Sequence, residues 1–290
     1  MLQFGMKTAL ITGSGGFVGR HLTKALEKKG VKVIKFSRLE NKQLTRNEDF
    51  ADLPKVDVVF HLAAVSGYKD CNDNTKLAYK VNVLGTVNVL EYCRRAKAKL
   101  IFPSTYVYDA PYEAYKKESD PTKPMTHYSY TKWLGEELCR FYSRIFKVNT
   151  LILRTANVYG AGQSDIYLIP IISAHLKARK TLNLTKPDIE RSFIYIDDLV
   201  KAYIMLAQKP TPPGVIFNIA PDQATSISTL IKTVIKVTGK KFDVVYSGQD
   251  RPHEISLNRM DNAKIKQTIN WQAKTSLEQG LQKLQRSQNL

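Results

Sequence analysis

Three stretches of the sequence predict a doubly wound α/β fold, a parallel sheet with helices on both faces. The first is TALITGSGGFVG, Thr8 to Gly19, an apolar run that stops at Gly13. A helical pattern follows it through Phe17, Val18, His21, Leu22, Ala25 and Leu26, ending at Gly30. The second is VDVVFHLAA, Val56 to Ala64, an unbroken apolar run that closes on small residues. Such runs mark strands buried on both faces. The third is the pair of further runs, Leu100 to Val107 and Thr150 to Arg154, with a long helical pattern between them. Strands alternating with helices build a parallel sheet.

Composition narrows the class. A chain of 290 residues can bury a substantial core, as one large domain or two that share it. No long uncharged apolar span is present, so no membrane helix is expected. MLQFGMK runs straight into the first strand and leaves no room for a signal peptide. Cys71, Cys93 and Cys139 are far apart and odd in number, so they read as reduced thiols in a cytoplasmic enzyme. The net charge of +18 attracts polyanions, but Lys and Arg are spread along the chain. A solvated basic surface is therefore favoured over a nucleic-acid footprint.

Each element then has a reading. In the first turn Gly13 permits a tight bend, Gly16 lets backbone approach a phosphate, and Gly19 lets the helix lie close to the strand. Strand, glycine turn and helix present N–H groups to a pyrophosphate. The spacing is G-x-x-G-x-x-G, not G-x-G-x-x-G. Within TGSGGFVG it resembles the TGGxGFIG form of the extended short-chain dehydrogenase/reductase family. The second strand, Val31 to Phe36, ends in Ser37-Arg38 where an NAD enzyme of that kind usually carries Asp. Arg can pair with a 2′-phosphate and Ser can donate to it, so NADP is expected, with NAD as the alternative. From Leu39 to Lys55 the chain is too short for the usual strand and helix, and Asp49 and Asp52 stand as open candidates for an adenine contact.

The rest of the chain extends the resemblance. Leu62, Ala63 and Ala64 would flank the cofactor, while His61, with no partner ligand nearby, reads as a structural histidine. VNVLGTVNVL is similar to the family's NVxGTxNLL, in which the Asn matching Asn82 braces the backbone around the cofactor. The resemblance implies a catalytic Ser or Thr four residues before Tyr108, hence Ser104, with Thr105 as fallback. Tyr-x-x-x-Lys occurs twice. Tyr112 and Lys116 lack an apolar stripe and follow Ser104 too closely. Tyr128 and Lys132 carry one, through Trp133, Leu134, Leu138, Phe141 and Ile145, and four-residue spacing puts them on one helix face. An ammonium beside a phenol lowers the phenol's pKa.

LRTANVYGAGQ and RSFIYIDDL resemble the family's LRxxNVYGPxQ and RDFIYVDD. They imply that Asn157 and Arg191, with Arg251 further on, contact a substrate diphosphate, and Trp271 falls at the family's Trp. Asp197-Asp198 reads as helix capping and dipole pairing. Residues 1–160 would form the dinucleotide-binding domain, with 193–219 returning to it. Residues 161–192 and 220–290 would form the substrate-binding part.

The implied chemistry is hydride transfer at a sugar carbon of a nucleotide-diphosphate sugar. Tyr128 would give or take the hydroxyl proton, Lys132 would lower the Tyr128 pKa and hold the nicotinamide ribose, and Ser104 would bond the oxyanion. Thr105-Tyr106 follow Ser104 where the family's dehydratases carry Asp-Glu, so 4,6-dehydration is not expected. An NADPH-dependent 4-keto reductase is the expected activity, and a 4-epimerase with retained NAD the alternative. A non-catalytic NADP-binding or RNA-associated protein is the alternative of another class. The resemblance also implies a homodimer.

Overall fold

The computed structural model describes residues 5–106, 115–249, 255–287 and 290. Strands buried on both faces must feed two cores at once, and they do so by alternation. In β1 (Thr8–Thr12) Ala9 and Ile11 enter one core and Leu10 the other. The same alternation runs through β3 (Val58–His61), β4 (Lys99–Thr105) and β5 (Thr150–Thr155), where Val58, Ile101 and Leu153 face one side and Val59, Phe102 and Ile152 the other.

With β2 (Lys32–Phe36) and β10 (Val215–Ile219), these strands form a six-stranded sheet in the order β10-β5-β4-β3-β1-β2, every pairing parallel. The order reverses between β1 and β3, which opens a crevice at their C-terminal ends. Residues 37–57 hold only two single-turn helices, Arg38–Glu40 and Asn47–Phe50, so β2 is the sheet edge. Asp49 is occupied inside this segment, accepting from the Gln43 N–H at 2.7 Å and Arg46 Nε at 3.0 Å, while Asp52 is exposed.

On one face α1 (Phe17–Glu27) packs against α7 (Ile196–Gln208). Between them in sequence come α2 (Tyr68–Asp73), α3 (Thr75–Tyr79), α4 (Gly85–Ala96), α5 (His127–Phe146) and α6 (Leu168–Ala178). α4 and α5 pair on the opposite face. α5 is started by a reciprocal cap, in which Thr126 and Ser129 each accept from the other's backbone N–H. It lies close to β4 because Gly135 has no Cβ; one there would stand 2.4 Å from the Phe102 ring. The buried Glu136–Arg154 pair, bonded at 2.9 and 3.1 Å, ties α5 to β5.

The remaining strands are short. β6 (Asn157–Tyr159) pairs with β9 (Phe193–Tyr195), β7 (Leu182–Leu184) with β12 (Val244–Tyr246), and β8 (Glu190–Arg191) with β11 (Thr225–Ser226). α8 (Ile227–Thr238), α9 (Ala263–Ile269) and α10 (Leu277–Arg286) cover this end. Asp197 and Asp198 sit in the first turn of α7, as dipole pairing requires, but make no side-chain cap there. Asp198 instead accepts from the Thr275 N–H at 2.8 Å. No helix among the described residues is long and apolar enough to cross a membrane.

Candidate active site

The glycine turn is fixed by contacts that only glycine tolerates. Gly13 has φ +71°, donates to Phe36 O at 2.8 Å, and leaves room where a Cβ would lie 2.8 Å from Ala63 N. At Gly19 a Cβ would lie 2.1 Å from Gly13 O, so the start of α1 presses directly on the turn. Gly16 is exposed and its N–H donates to Gly13 O at 2.9 Å; a Cβ there would meet nothing closer than that oxygen at 3.2 Å, so the side of Gly16 at the N-terminus of α1 faces open space in the cleft. Phe17, Val18, Leu62, Ala63 and Ala64 line that opening.

A polar layer lies behind it. His61 is buried between two hydroxyls, Thr12 Oγ1 at 2.8 Å from Nδ1 and Thr86 Oγ1 at 3.0 Å from Nε2. Thr86 already donates to Asn82 O at 2.6 Å, so it accepts from His61 Nε2–H, and Thr12 donates to Nδ1. This is the neutral ring, and burial, then the nearby Lys132 charge, lowers its pKa to about 3. The structural reading of His61 agrees with these bonds. Asn82, also buried, accepts from Val65 N at 2.8 Å and donates to Val65 O at 2.9 Å and to Thr131 Oγ1 at 3.0 Å. It braces the backbone after β3 against α5, one layer behind the crevice.

The C-terminal end of β4 presents Ser104, Thr105 and Tyr106, and α5 presents Tyr128 and Lys132 to the same cleft. The Tyr128 phenol hydrogen-bonds Thr105. Burial pushes that phenol well above its ordinary range; Tyr167, Tyr106 and Cys71 add to the rise, and the Thr105 bond opposes it. Burial lowers the Lys132 ammonium to about 8, and its Nζ lies 4.3 Å over the centre of the Phe102 ring. Asn157 and Arg191 line the far end, where Arg191 Nη1 donates to Glu190 O at 2.8 Å and Ile255 O at 2.5 Å. Arg251 falls outside the described residues, as do Tyr108 and Tyr112.

One cleft of about 1840 Å³ therefore joins the glycine turn, Ser37, Arg38, Ser104, Tyr128, Lys132, Asn157 and Arg191. That exceeds a single small-molecule site, roughly 300–1,000 Å³, and suits two extended ligands end to end. The sequence reading missed several of its residues. Lys42 to Thr45 line it, from the short 39–55 segment in which only Asp49 and Asp52 had been singled out. Tyr106 stands two residues beyond Ser104, a strand-period spacing that could have flagged it. Tyr167 starts α6, and its hydroxyl lies 3.4 Å from Ser66 Oγ. Glu40, beside Ser37 and not itself a lining residue, was also unread. Its carboxylate accepts from Ser37 Oγ at 2.5 Å and Ser14 Oγ at 3.3 Å, so the Ser37 proton is directed at Glu40.

Residues 9–220 match the model of the NAD dependent epimerase/dehydratase family. The chain is 27% identical to a putative UDP-glucose 4-epimerase of Methanocaldococcus jannaschii, over 95% of this chain and 96% of that one. It is 29% identical to a dTDP-4-dehydro-6-deoxy-D-allose reductase of Streptomyces bikiniensis, over 81% and 82% respectively. Its fold superimposes on UDP-glucose 4-epimerase of Thermotoga maritima, solved with UDP-glucose, with a TM-score of 0.87 at 24% identity, covering 97% of this chain and 99% of that one.

Proposed function

The chain belongs to the NAD dependent epimerase/dehydratase family, and from that premise we propose that it is a nucleotide-sugar 4-epimerase working with a retained NAD. The observation that carries this reading is Glu40. A 2′-phosphate beside Ser37 would meet a carboxylate 2.5 Å from the Ser37 hydroxyl, and that hydroxyl already donates to it. Like charges at that range repel, whereas the free 2′-hydroxyl of NAD carries no charge. NAD is the form an epimerase reuses within each turnover. The expected NADPH-dependent reductase started from Ser37 and Arg38; the Ser37 half of that case is taken up by Glu40. The relative from M. jannaschii, matched over nearly the whole chain, is named as a 4-epimerase and points the same way.

The residues present fit a dinucleotide. The N-terminus of α1 and the open backbone at Gly16 would hold the pyrophosphate, and Leu62 to Ala64 would floor the nicotinamide end. When bound, the nicotinamide supplies the acceptor and donor of the C4 hydride. Tyr128 takes the proton of the sugar's C4 hydroxyl and returns it after inversion. Burial holds its phenol neutral, so it must lose its own proton before it can accept the sugar's; Lys132, which lines the same cleft, would favour that phenolate. Ser104 and Thr105 would bond the C4 oxygen as charge develops. Asn157 and Arg191 would hold the diphosphate, with Arg251 as a further candidate. Ser104, Tyr128 and Lys132 lining one cleft favours catalysis over a non-catalytic NADP-binding or RNA-associated role. Exposed Tyr130, Phe141, Ile145 and Phe146 on α5 support a homodimer through the α4–α5 face.

The test is to release and identify the dinucleotide held by the purified protein, then to supply nucleotide sugars with no cofactor added. The expected result is NAD together with an equilibrium of C4 epimers. Turnover that appears only with stoichiometric NADPH would instead establish a reductase.

A further inference from the structure

One side chain at the centre of the cleft has a fixed hydrogen-bond direction, and that direction bears on which sugar is taken. The Asn157 amide has two neighbours, Ser192 O at 3.4 Å from Nδ2 and the Tyr106 hydroxyl at 2.5 Å from Oδ1. A carbonyl oxygen only accepts, so the amide nitrogen faces Ser192. The amide oxygen then faces Tyr106, and the phenol must donate its single proton there. What the phenol oxygen still offers the cleft is a lone pair. Tyr106 is half-buried, lines the cleft with Asn157, Arg191, Tyr128 and Tyr167, and lies within electrostatic reach of Arg191, Tyr128 and Tyr167. Burial raises its phenol, which keeps it neutral at the pH of catalysis. It is thus bonded to one group assigned to the diphosphate and shares the cleft with the group assigned to C4, which puts it within reach of the sugar.

We propose that Tyr106 is a specificity-determining residue whose acceptor oxygen selects a neutral, hydroxyl-bearing hexose and disfavours a hexuronate. The proposal rests on the nucleotide-sugar reading above. A sugar hydroxyl can donate to the phenol oxygen. A carboxylate can only accept, so two acceptors would face each other, and an unmatched polar pair weakens binding. The Arg191 charge does not reverse this, because its Nη1 is held by Glu190 O and Ile255 O and the guanidinium serves the diphosphate that both sugars share.

Binding tests it without relying on turnover. Dissociation constants for UDP-glucose and UDP-glucuronate are measured by calorimetry on the purified protein with its retained dinucleotide. The hexose is expected to bind at least tenfold more tightly. Tyr106→Phe keeps the ring and removes the oxygen, and the hexose should weaken by about tenfold while the hexuronate stays level or tightens. A merely structural role would weaken both sugars alike and leave their ratio unchanged. Equal affinities in the wild type, a tighter hexuronate, no binding of either sugar, or an unchanged ratio in Tyr106→Phe each overturns the proposal. If the hexose preference holds but no C4 epimer forms, the epimerase reading falls and this one stands.

Discussion

From Gly13 to Gly19 one consecutive stretch makes a wall of the cleft out of backbone. At the other end Ser104, Tyr106, Tyr128, Asn157 and Arg191 make the opposing wall out of side chains from separate strands and helices. The first wall has one shape that it can take, set by contacts of 2.1 Å and 2.8 Å where any Cβ would collide with backbone. The second depends on distant elements being held in register, by the Thr126–Ser129 cap, the Glu136–Arg154 pair and the Asn82 brace. The glycine wall should therefore fail as structure, and the side-chain wall as chemistry.

Gly19→Ala is the hardest test of that contrast and should have the largest effect. Its methyl group would stand 2.1 Å from Gly13 O, and backbone cannot yield as a side-chain tip can. A stability loss of about 3 kcal/mol, the upper end of what overpacking typically costs, should accompany loss of the retained dinucleotide. A variant that melts like the wild type and keeps its cofactor would show that this wall is softer than its contacts imply.

Tyr128→Phe addresses the other wall. Removing the proton carrier should lower kcat by about a thousandfold, roughly 4 kcal/mol of barrier. Melting temperature and bound dinucleotide should stay as in the wild type. Near-full turnover would remove Tyr128 from the chemistry.

The two walls also differed in how much of them could be read in advance. The fold, the glycine turn and the sheet were legible because their signals are local: a run, a spacing, a small residue at a strand end. Ser104, Tyr128, Lys132, Asn157 and Arg191 were reached through the resemblance, and they line one cleft. Glu40, Tyr106 and Tyr167 were not read, because what singles them out is a partner. Glu40 matters through Ser14 and Ser37, and Tyr106 through an Asn157 that is remote in sequence. Spacing alone cannot indicate which way a hydroxyl donates.

Glu40→Gln lies beside the glycine wall, where Glu40 bonds Ser14 and Ser37, and should have a smaller effect. The group is exposed, so solvent weakens its field. NADP should gain about tenfold in affinity, roughly 1.4 kcal/mol, with NAD little changed. The gain should shrink as salt rises and screening shortens the reach of the charge. Wild-type protein that binds NADP more tightly than NAD would remove Glu40 as the discriminating group and with it the case for a retained NAD.

The smallest expected effect lies behind the glycine wall, at His61. Its folded-state pKa is about 3, against 6.5 for the ordinary side chain. The folded protein therefore holds the ring neutral, and the unfolded chain takes up the proton first. Stability from this group is fully present above pH 6.5, declines as pH falls through that value, and keeps declining until about pH 3. Between pH 8 and pH 6 the loss should be about 0.8 kcal/mol, growing toward about 1.4 kcal/mol per pH unit below that. The pH dependence of the whole protein sums many groups, so the comparison needs a partner. His61→Gln can still bond Thr12 and Thr86 but cannot charge. It should be less stable than the wild type at pH 8 and close the gap as the pH falls, in denaturant unfolding followed at both ends of the range. Parallel pH profiles would mean that His61 is protonated without penalty, and that the layer under the glycine turn is less closed to water than its hydrogen bonds to Thr12 and Thr86 require.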